Sequence, residues 1–246
     1  RLSRLAKAAK EKGMTALAIT DHGVMYGAVD FYKECKKQGI KPIIGCEVYV
    51  APQSRFDKTS SYGKYYHMVL LCKNHTGYQN LIKLVSKGFT EGFYTKPRID
   101  DELLAEYHEG LVCLSACLAG EIPQKLLDGD YAGAKSKAEF YRDIFGSENF
   151  FIELQDHGIE EQKRIIPSLI KIAREIGVDI VATNDCHYIE KQDSTVHNIL
   201  LCIQTNRTVN DSDRMEFKTS EFYLKTEDEM REVFASYPEA IDNTQK

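Results

Sequence analysis

The feature that most constrains this chain is a short apolar run that stops abruptly on an acid and an imidazole, and it occurs twice. Thr15-Ala-Leu-Ala-Ile-Thr-Asp-His-Gly23 and Asp179-Ile-Val-Ala-Thr-Asn-Asp-Cys-His187 share this plan. Apolar or β-branched runs of this length between helical patterns read as interior strands of a sheet covered on both faces. Residues just past the carboxyl end of such a strand face the mouth of the sheet or barrel, where α/β folds place their ligands. Carboxylate and neutral imidazole are donors to divalent cations. A helix N-cap by Asp21 or Asp185 beside a locally bonded histidine explains either segment taken alone. Its repetition at two distant strand ends favours one shared site.

The rest of the chain follows the same alternation. Strands are expected over 15–21, 41–47, 66–72, 111–117, 149–155 and 179–185, separated by amphipathic helices. Leu2, Leu5, Ala8 and Ala9 form one helical face before Gly13. Met25, Ala28, Val29, Tyr32 and Cys35 form another before Gly39, and Ile165, Leu169, Ile172 and Ile176 a third before Gly177. Polar residues from Ala51 to Lys64 read as an excursion at the mouth of the fold. Ligand-type residues at nearly every strand end favour a closed barrel over an open sheet, because only a ring brings all those ends together. After Ser194 the pattern changes to a helix through Val196, Ile199 and Leu200, a polar run, and a Thr226/Glu229 capping box.

Composition narrows the function classes. Lys and Arg total 32 against 37 for Asp and Glu, a formal charge of -5, so there is no basic footprint for gripping a phosphate backbone. Bound cations at an acidic site supply positive potential toward phosphate, and solvated acidic helix faces explain the same balance. No apolar run reaches membrane-spanning length. Seven cysteines without Cys-x-x-Cys spacing fit a reducing cytoplasm better than a disulfide framework.

Glu47, ending Lys41-Pro-Ile-Ile-Gly-Cys-Glu47, is a third ligand candidate. His67 opens its strand, which in a simple parallel barrel is the wrong end. Either a hairpin with Val48 to Val50 returns it to the mouth or it is a structural histidine. Cys117 ends a strand on a thiol, a metal donor but also a common buried residue. Asp156 and His157 follow the strand over 149–155 and are placed at the rim. Gly92-Phe-Tyr-Thr-Lys-Pro-Arg-Ile99 offers Lys96 and Arg98 as a phosphate-facing loop, with an ordinary charged surface loop as the alternative.

Ile19-Thr-Asp-His-Gly23, Gly45-Cys-Glu47, Tyr66-His67-Met-Val-Leu-Leu, Ser115-Ala-Cys117-Leu-Ala-Gly120 and Ala182-Thr-Asn-Asp-Cys-His187 together resemble the polymerase-and-histidinol-phosphatase (PHP) domain. The resemblance is to the version at the amino end of bacterial replicative DNA polymerase III alpha subunits. Tyr94 to Asp100 and the tail from Phe217 to Met230 are similar to segments of that subunit. The resemblance implies an α/β fold, a distorted (β/α)7 barrel with its first strand expected upstream of this sequence. Residues 1–190 would form the barrel and 191–246 an extension toward the polymerase core. It implies a metal set of His22, Glu47, His67, Cys117, Asp185 and His187, holding two or three divalent ions of zinc, manganese or iron, with magnesium serving a polymerase part outside this sequence. Three further ligands are expected from the upstream strand and turn.

What the resemblance implies functionally is metal-dependent hydrolysis of a 3' DNA end, a proofreading 3'-5' exonuclease, within a DNA-directed DNA polymerase. Asp21 would orient a ligand or move a proton, and His157 would stand beside the substrate. Expected partners are the DNA 3' end, the remainder of the alpha subunit and a separate proofreading exonuclease subunit, with no membrane. Alternatives are a barrel that only braces the polymerase and a stand-alone phosphatase of the histidinol-phosphatase type. Without an upstream strand, the strands over 15–21 and 179–185 would keep unpaired edges. Residues 1–246 alone are therefore expected to aggregate and to lack activity. Light scattering and metal analysis with and without an upstream extension check this, and a monomeric, fully metallated, active short form would contradict it.

Overall fold

The first helix, α1 (Leu2–Glu11), turns Ala6 and Ala9 inward, with Leu2, Leu5 and Ala8 partly buried beside them, and the chain reverses at Gly13 into β1 (Ala16–Ile19). The computed structural model describes residues 1–59 and 64–246. Next come α2 (Ala28–Gln38), β2 (Lys41–Val50), β3 (Tyr66–Cys72), α3 (His75–Thr90), β4 (Arg98–Ile99) and α4 (Asp101–Tyr107). They are followed by β5 (Leu111–Leu114), α5 (Glu121–Leu127), α6 (Tyr131–Phe145), β6 (Phe150–Leu154), α7 (Glu160–Ile176) and β7 (Ile180–Ala182). The tail carries α8 (Ser194–Thr205), α9 (Glu227–Val233) and α10 (Pro238–Asp242).

The strands form one curled sheet in the order β1-β2-β3-β5-β6-β7, with β4 paired to β2. All six strands expected from the apolar runs lie in it, and the two-residue β4 is additional. Pairing is parallel except around β3, which runs antiparallel to both β2 and β5. Among the described residues no pairing joins β1 to β7, so the α/β sheet is a curled half-barrel, consistent with the distorted (β/α) barrel expected and with the open edges expected at these two strands. Its open side is a cleft of about 1750 Å³ bordered by β1 and β7 and floored by Val69, Leu114, Phe151 and Val181.

Two helical faces differ from the expected ones. Helix α2 buries Ala28, Phe31 and Cys35, leaving Val29 and Tyr32 in solvent, because Phe31 and Cys35 pack against Ala6 and Ala9 of α1. Helix α8 forms where expected, but Val196, Ile199 and Leu200 are exposed and Leu201 and Cys202 are buried instead. Phe234, Ala240 and Ile241 of the tail lie in the same main core as β2, β3, β5 and β6, so this part of the tail packs into the apolar layer between sheet and helices.

The polar segment after β2 is pinned as far as it is described; residues 60–63 of that expected excursion lie outside the described residues. Buried Arg55 donates from Nη1 to both oxygens of Asp100 at 2.9 and 3.0 Å and from Nε to Glu91 at 2.7 Å. Asp100 also caps α4, accepting from the Leu103 amide at 3.1 Å. A polar sequence therefore hides a buried ion network, which charge counting does not register.

Gly45, two residues before Glu47, is required by close strand packing rather than by a turn. A Cβ there would lie 2.6 Å from the Leu70 carbonyl oxygen and 2.7 Å from Leu71 Cδ2. Gly45→Ala should therefore destabilise the fold by about 1–3 kcal/mol as β2 and β3 are forced apart. Urea unfolding midpoints check this, and an unchanged midpoint would contradict the packing argument.

Candidate metal centre

Register brings the first two candidates together. His22 and Glu47 form a parallel bridge one turn of chain beyond β1, with the Gly23 amide donating to the Glu47 carbonyl at 2.8 Å and the Glu47 amide to the Asp21 carbonyl at 3.1 Å. Gly23 has φ +67°, and a Cβ there would meet the Tyr49 ring at 2.7 Å, so glycine lets the chain turn tightly after His22. The antiparallel β2/β3 pair then sets His67 opposite Tyr49, on the same strand face as Glu47. This is the hairpin alternative for His67, and it returns the imidazole to the mouth.

The three side chains converge on one oxygen. Nδ1 of His22 lies 2.8 Å and Nδ1 of His67 2.6 Å from Glu47 Oε1. Because a carboxylate only accepts, both imidazoles carry their proton on Nδ1 in this arrangement. The donor atoms of His22, Glu47 and His67 all lie within 4.8 Å of one another, close enough to share a single cation. Cys117 Sγ is 3.7 Å from His67 Nδ1. On the other flank His187 stands 6.1 Å from His22 between ring centres, and its Nε2 is 3.3 Å from Asp185 Oδ1. Six candidates from five strand ends thus form one continuous cluster.

Two of these ends are strained. Ala116, next to Cys117, has φ +65°, and Asp185 itself has φ +42°. Non-glycine residues in this region cost on the order of 1–3 kcal/mol and persist where surrounding structure enforces them.

Electrostatics separate two buried acids. Burial pushes Glu47 up, but the hydrogen bonds from His22 and His67, with their charges, outweigh it and bring the carboxyl down to about 2. The Glu47 hydrogen bond raises His22 above its ordinary value against the opposing effect of burial. Glu153, on β6 inside the half-barrel, accepts from Thr183 and the Gln155 amide, and burial takes it up to about 7. Burial raises Asp21 despite His22 beside it, and its Oδ2 lies against Gly27. Burial likewise holds the Cys117 thiol well above its ordinary value, with Glu47 and Asp185 adding to the effect.

Two expected site residues sit elsewhere. His157 is fully buried, not on the rim. Its ring stacks on Phe222 at 3.9 Å, its Nε2 donates to the Asn184 carbonyl at 2.9 Å, and its Nδ1 accepts from Gln162 at 2.8 Å. With both nitrogens engaged it has no free face for a substrate. Arg98 is also fully buried, its guanidinium donating to the backbone carbonyls of Gly92, Arg55 and Asp57, so it does not face the mouth. Lys96 does lie near the cluster, with Nζ 5.4 Å from the Tyr49 ring centre and its charge opposing protonation of His22.

Sequence reasoning missed Tyr49, which stacks on His22 at 6.5 Å, and His197, whose ring is 5.3 Å from His187. It also missed Glu153. Strand alternation places Glu153 on an interior strand, which is the signal that a buried acid was present.

The two acids give opposite pH signatures in the metal-free protein. Glu47's contribution is present above 4.5 and is lost as pH falls toward 2, and His22's is present below 6.5 and is lost as pH rises through its raised value. Glu47→Gln should therefore cost most near pH 5.5, about 1–3 kcal/mol with the half-exposed His22 discounted for screening, and less at pH 3. Glu153 has the reverse sign. The unfolded chain releases its proton near 4.5 and the native one near 7, so stability falls across that window, and Glu153→Gln should remove the fall. Urea midpoints at pH 3, 5.5 and 8 check both, and parallel profiles for the two variants would contradict them.

Comparison with known proteins yields a family model described as the PHP domain, which matches residues 1–157. The chain is 53% identical over 245 residues to the DNA polymerase III subunit alpha of Treponema pallidum, covering 99% of this chain and 21% of that one. It is 45% identical over 246 residues to that of Borreliella burgdorferi, again covering 99% and 21%. The chain thus spans about a fifth of the length of the curated relatives it matches. Among solved structures, a protein described as a "putative metal-dependent phosphoesterase" from Bifidobacterium adolescentis aligns at 11% identity with a TM-score of 0.37, over 75% of this chain and 81% of that one.

Proposed function

The chain belongs to the PHP domain family, and from that premise we propose that it is part of a bacterial replicative DNA polymerase alpha subunit, carrying a metal-dependent phosphoesterase site that trims 3' DNA ends. The observation that carries the phosphoesterase reading is the convergence of His22, Glu47 and His67 within 4.8 Å, extended by Cys117, Asp185 and His187. The polymerase reading rests on relatives named DNA polymerase III subunit alpha that match 99% of this chain.

The donor set fits divalent metals. Two imidazoles and a carboxylate held ionised suit zinc, manganese or iron, and a nearby thiol favours the softer of these. His22, Glu47, His67, Cys117, Asp185 and His187 would hold two or three such ions. Bound divalent cations supply Lewis acidity toward a phosphoryl oxygen and a water acidified into the neutral range. The chain's own residues do the rest. Glu47 keeps its negative charge at neutral pH, and His22 and His67 would hold a cation as neutral imidazoles, each through the ring nitrogen that carries no proton. Lys96 offers a cation to a phosphate approaching past Tyr49. Asp21, beside His22 and raised by burial, takes or returns a proton.

The edges of β1 and β7, unpaired among the described residues, and the cleft between them support a further strand of the same polypeptide completing the ring there. In this reading residues 1–190 are the barrel and 191–246 its extension toward the remaining polymerase, with DNA as substrate and a proofreading exonuclease subunit as a neighbour. Seven free thiols suit the cytoplasm, and among the described residues no helix is long and apolar enough to cross a membrane.

The test uses the protein with its upstream segment, manganese, a 3'-mismatched primer strand and histidinol phosphate as control. We expect primer trimming that Glu47→Ala lowers by at least about 100-fold, the scale set by losing a group that organises catalytic charge. Hydrolysis of histidinol phosphate alone would overturn the DNA reading, and hydrolysis of neither would leave a barrel that braces the polymerase.

A further inference from the structure

Three exposed phenylalanines gather around β4, the short strand that pairs with β2 beside the candidate metal centre. Phe56, Phe93 and Phe89 are 58, 48 and 39% exposed. The rings of Phe89 and Phe93 stack at 6.2 Å, and the Arg55 guanidinium lies 4.3 Å from the Phe56 ring. Their two segments touch, since a Cβ on Gly92 would lie 3.0 Å from Arg55 Cβ and would collide with the Arg98 carbonyl. The turn over 94–97 joins this shelf to the metal centre. A Cβ on Gly23 would meet Pro97 Cγ at 3.1 Å, and Lys96 Nζ stands 5.4 Å from the ring of Tyr49, which stacks on His22.

The backbone under these rings is pinned. Buried Arg98 donates to the carbonyls of Gly92, Arg55 and Asp57, and the Tyr94 amide donates to the Lys96 carbonyl at 3.0 Å across Thr95, whose φ is +60°. Rings held this way lose little freedom when a second flat group settles on them. The acids of the shelf are already matched. Arg55 pairs with Glu91, Asp100 and Glu102, Lys87 with Glu91, and Asp57 has Arg98 beside it. Among the described residues Lys58, Lys64 and Lys96 make no ion pair, so their charge is available to an incoming anion.

We propose that Phe93 and Phe56 form a stacking track for single-stranded DNA, which carries the bases behind the 3' end while Lys96 holds the backbone at the entrance to the metal centre. The proposal rests on the phosphoesterase reading above for where the 3' end lies, and adds how the strand behind it is held. Every base has a π-face, so such a track binds without regard to sequence. A strand of nucleic acid fits this surface better than a protein does, because flat rings alternate with cations and the surface runs on into a site suited to phosphate. A chain of formal charge -5 thereby grips DNA through stacking and a few local cations rather than through a broad basic face.

The test uses the full-length protein. Hydroxyl-radical footprinting without divalent metal reads whether Phe56 and Phe93 are accessible in the free protein and protected by a saturating oligothymidylate octamer, and both results are expected. Rings already protected without DNA are covered by protein, and rings that the octamer leaves reactive carry no strand; either result overturns the track. With manganese, Phe93→Ala and Phe56→Ala should each raise KM for trimming the octamer by roughly 5- to 100-fold, the range for one stacked base, and leave kcat unchanged. Hydrolysis of bis(p-nitrophenyl) phosphate, too short to reach the rings, should not change. Phe93→Leu keeps apolar volume without the flat face and should behave like the alanine variant; a leucine variant with the parent's KM would reveal a packing role and overturn the track. If the octamer protects both rings but the parent hydrolyses neither substrate, the phosphoesterase reading fails and the track stands as a binding site.

Discussion

A single carboxylate oxygen organises the mouth of this half-barrel. Glu47 Oε1 accepts from two imidazoles supplied by different strands, at 2.8 and 2.6 Å, while its carboxyl is almost wholly buried. Burying an ionised carboxylate without partners costs several kcal/mol, so Glu47 is tenable only because β1 and β3 deliver His22 and His67 to it. The dependence runs outward through the fold. His22 must sit one bridge beyond β1, which needs the Gly23 turn against Tyr49, and His67 must pair opposite Tyr49, which needs β3 to run antiparallel. Tight approach of β2 to β3 then needs Gly45.

Glu153 shows that burial alone does not decide what an acid becomes. It is as buried as Glu47, but it has neutral donors instead of imidazoles, and its carboxyl is pushed up to about 7 where Glu47 is brought down to about 2. One acid is thereby kept as an anion at the mouth and the other stays largely protonated on the interior wall near neutral pH. Cations at the mouth would add to this asymmetry, since fixed positive charge favours the ionised form of whichever carboxylate it touches.

Much of this was legible in the sequence because strand ends leave a strong local trace. The apolar runs located six strands, and acids or histidines past their ends located the mouth. What the sequence hid was non-local. His67 could be placed only once the β2/β3 pairing direction was known, since the same residue at the start of a parallel strand faces the other end. Arg98 and His157 look like surface groups from composition, yet both are buried because backbone carbonyls take their protons, a partner type that carries no side-chain signature. Val29 and Tyr32 fit a helical stripe as well as Phe31 does, and the neighbouring helix α1 decides between them. The stacking of Phe222 has no local signal, because its partner His157 lies 65 positions earlier.

Near the β7 end the site leans on a segment outside the sheet. In a closed barrel, hydrogen bonds around the ring fix the separation of every pair of strand ends, so ligands need only the correct register. Among the described residues the path ends at β1 and β7, with an apolar floor between them that a further strand of the ring would cover. Leu224 contributes roughly 1.5–3 kcal/mol by leaving water on the β1 side, and the amide bonds to Phe222, Tyr188 and Ile189 fix the β7 side. These bonds flank Asp185, whose backbone strain is on the order of 1–3 kcal/mol and whose carboxylate lies 3.3 Å from His187 Nε2. The ligand geometry of the β7 end is therefore a property of the tail as much as of the barrel.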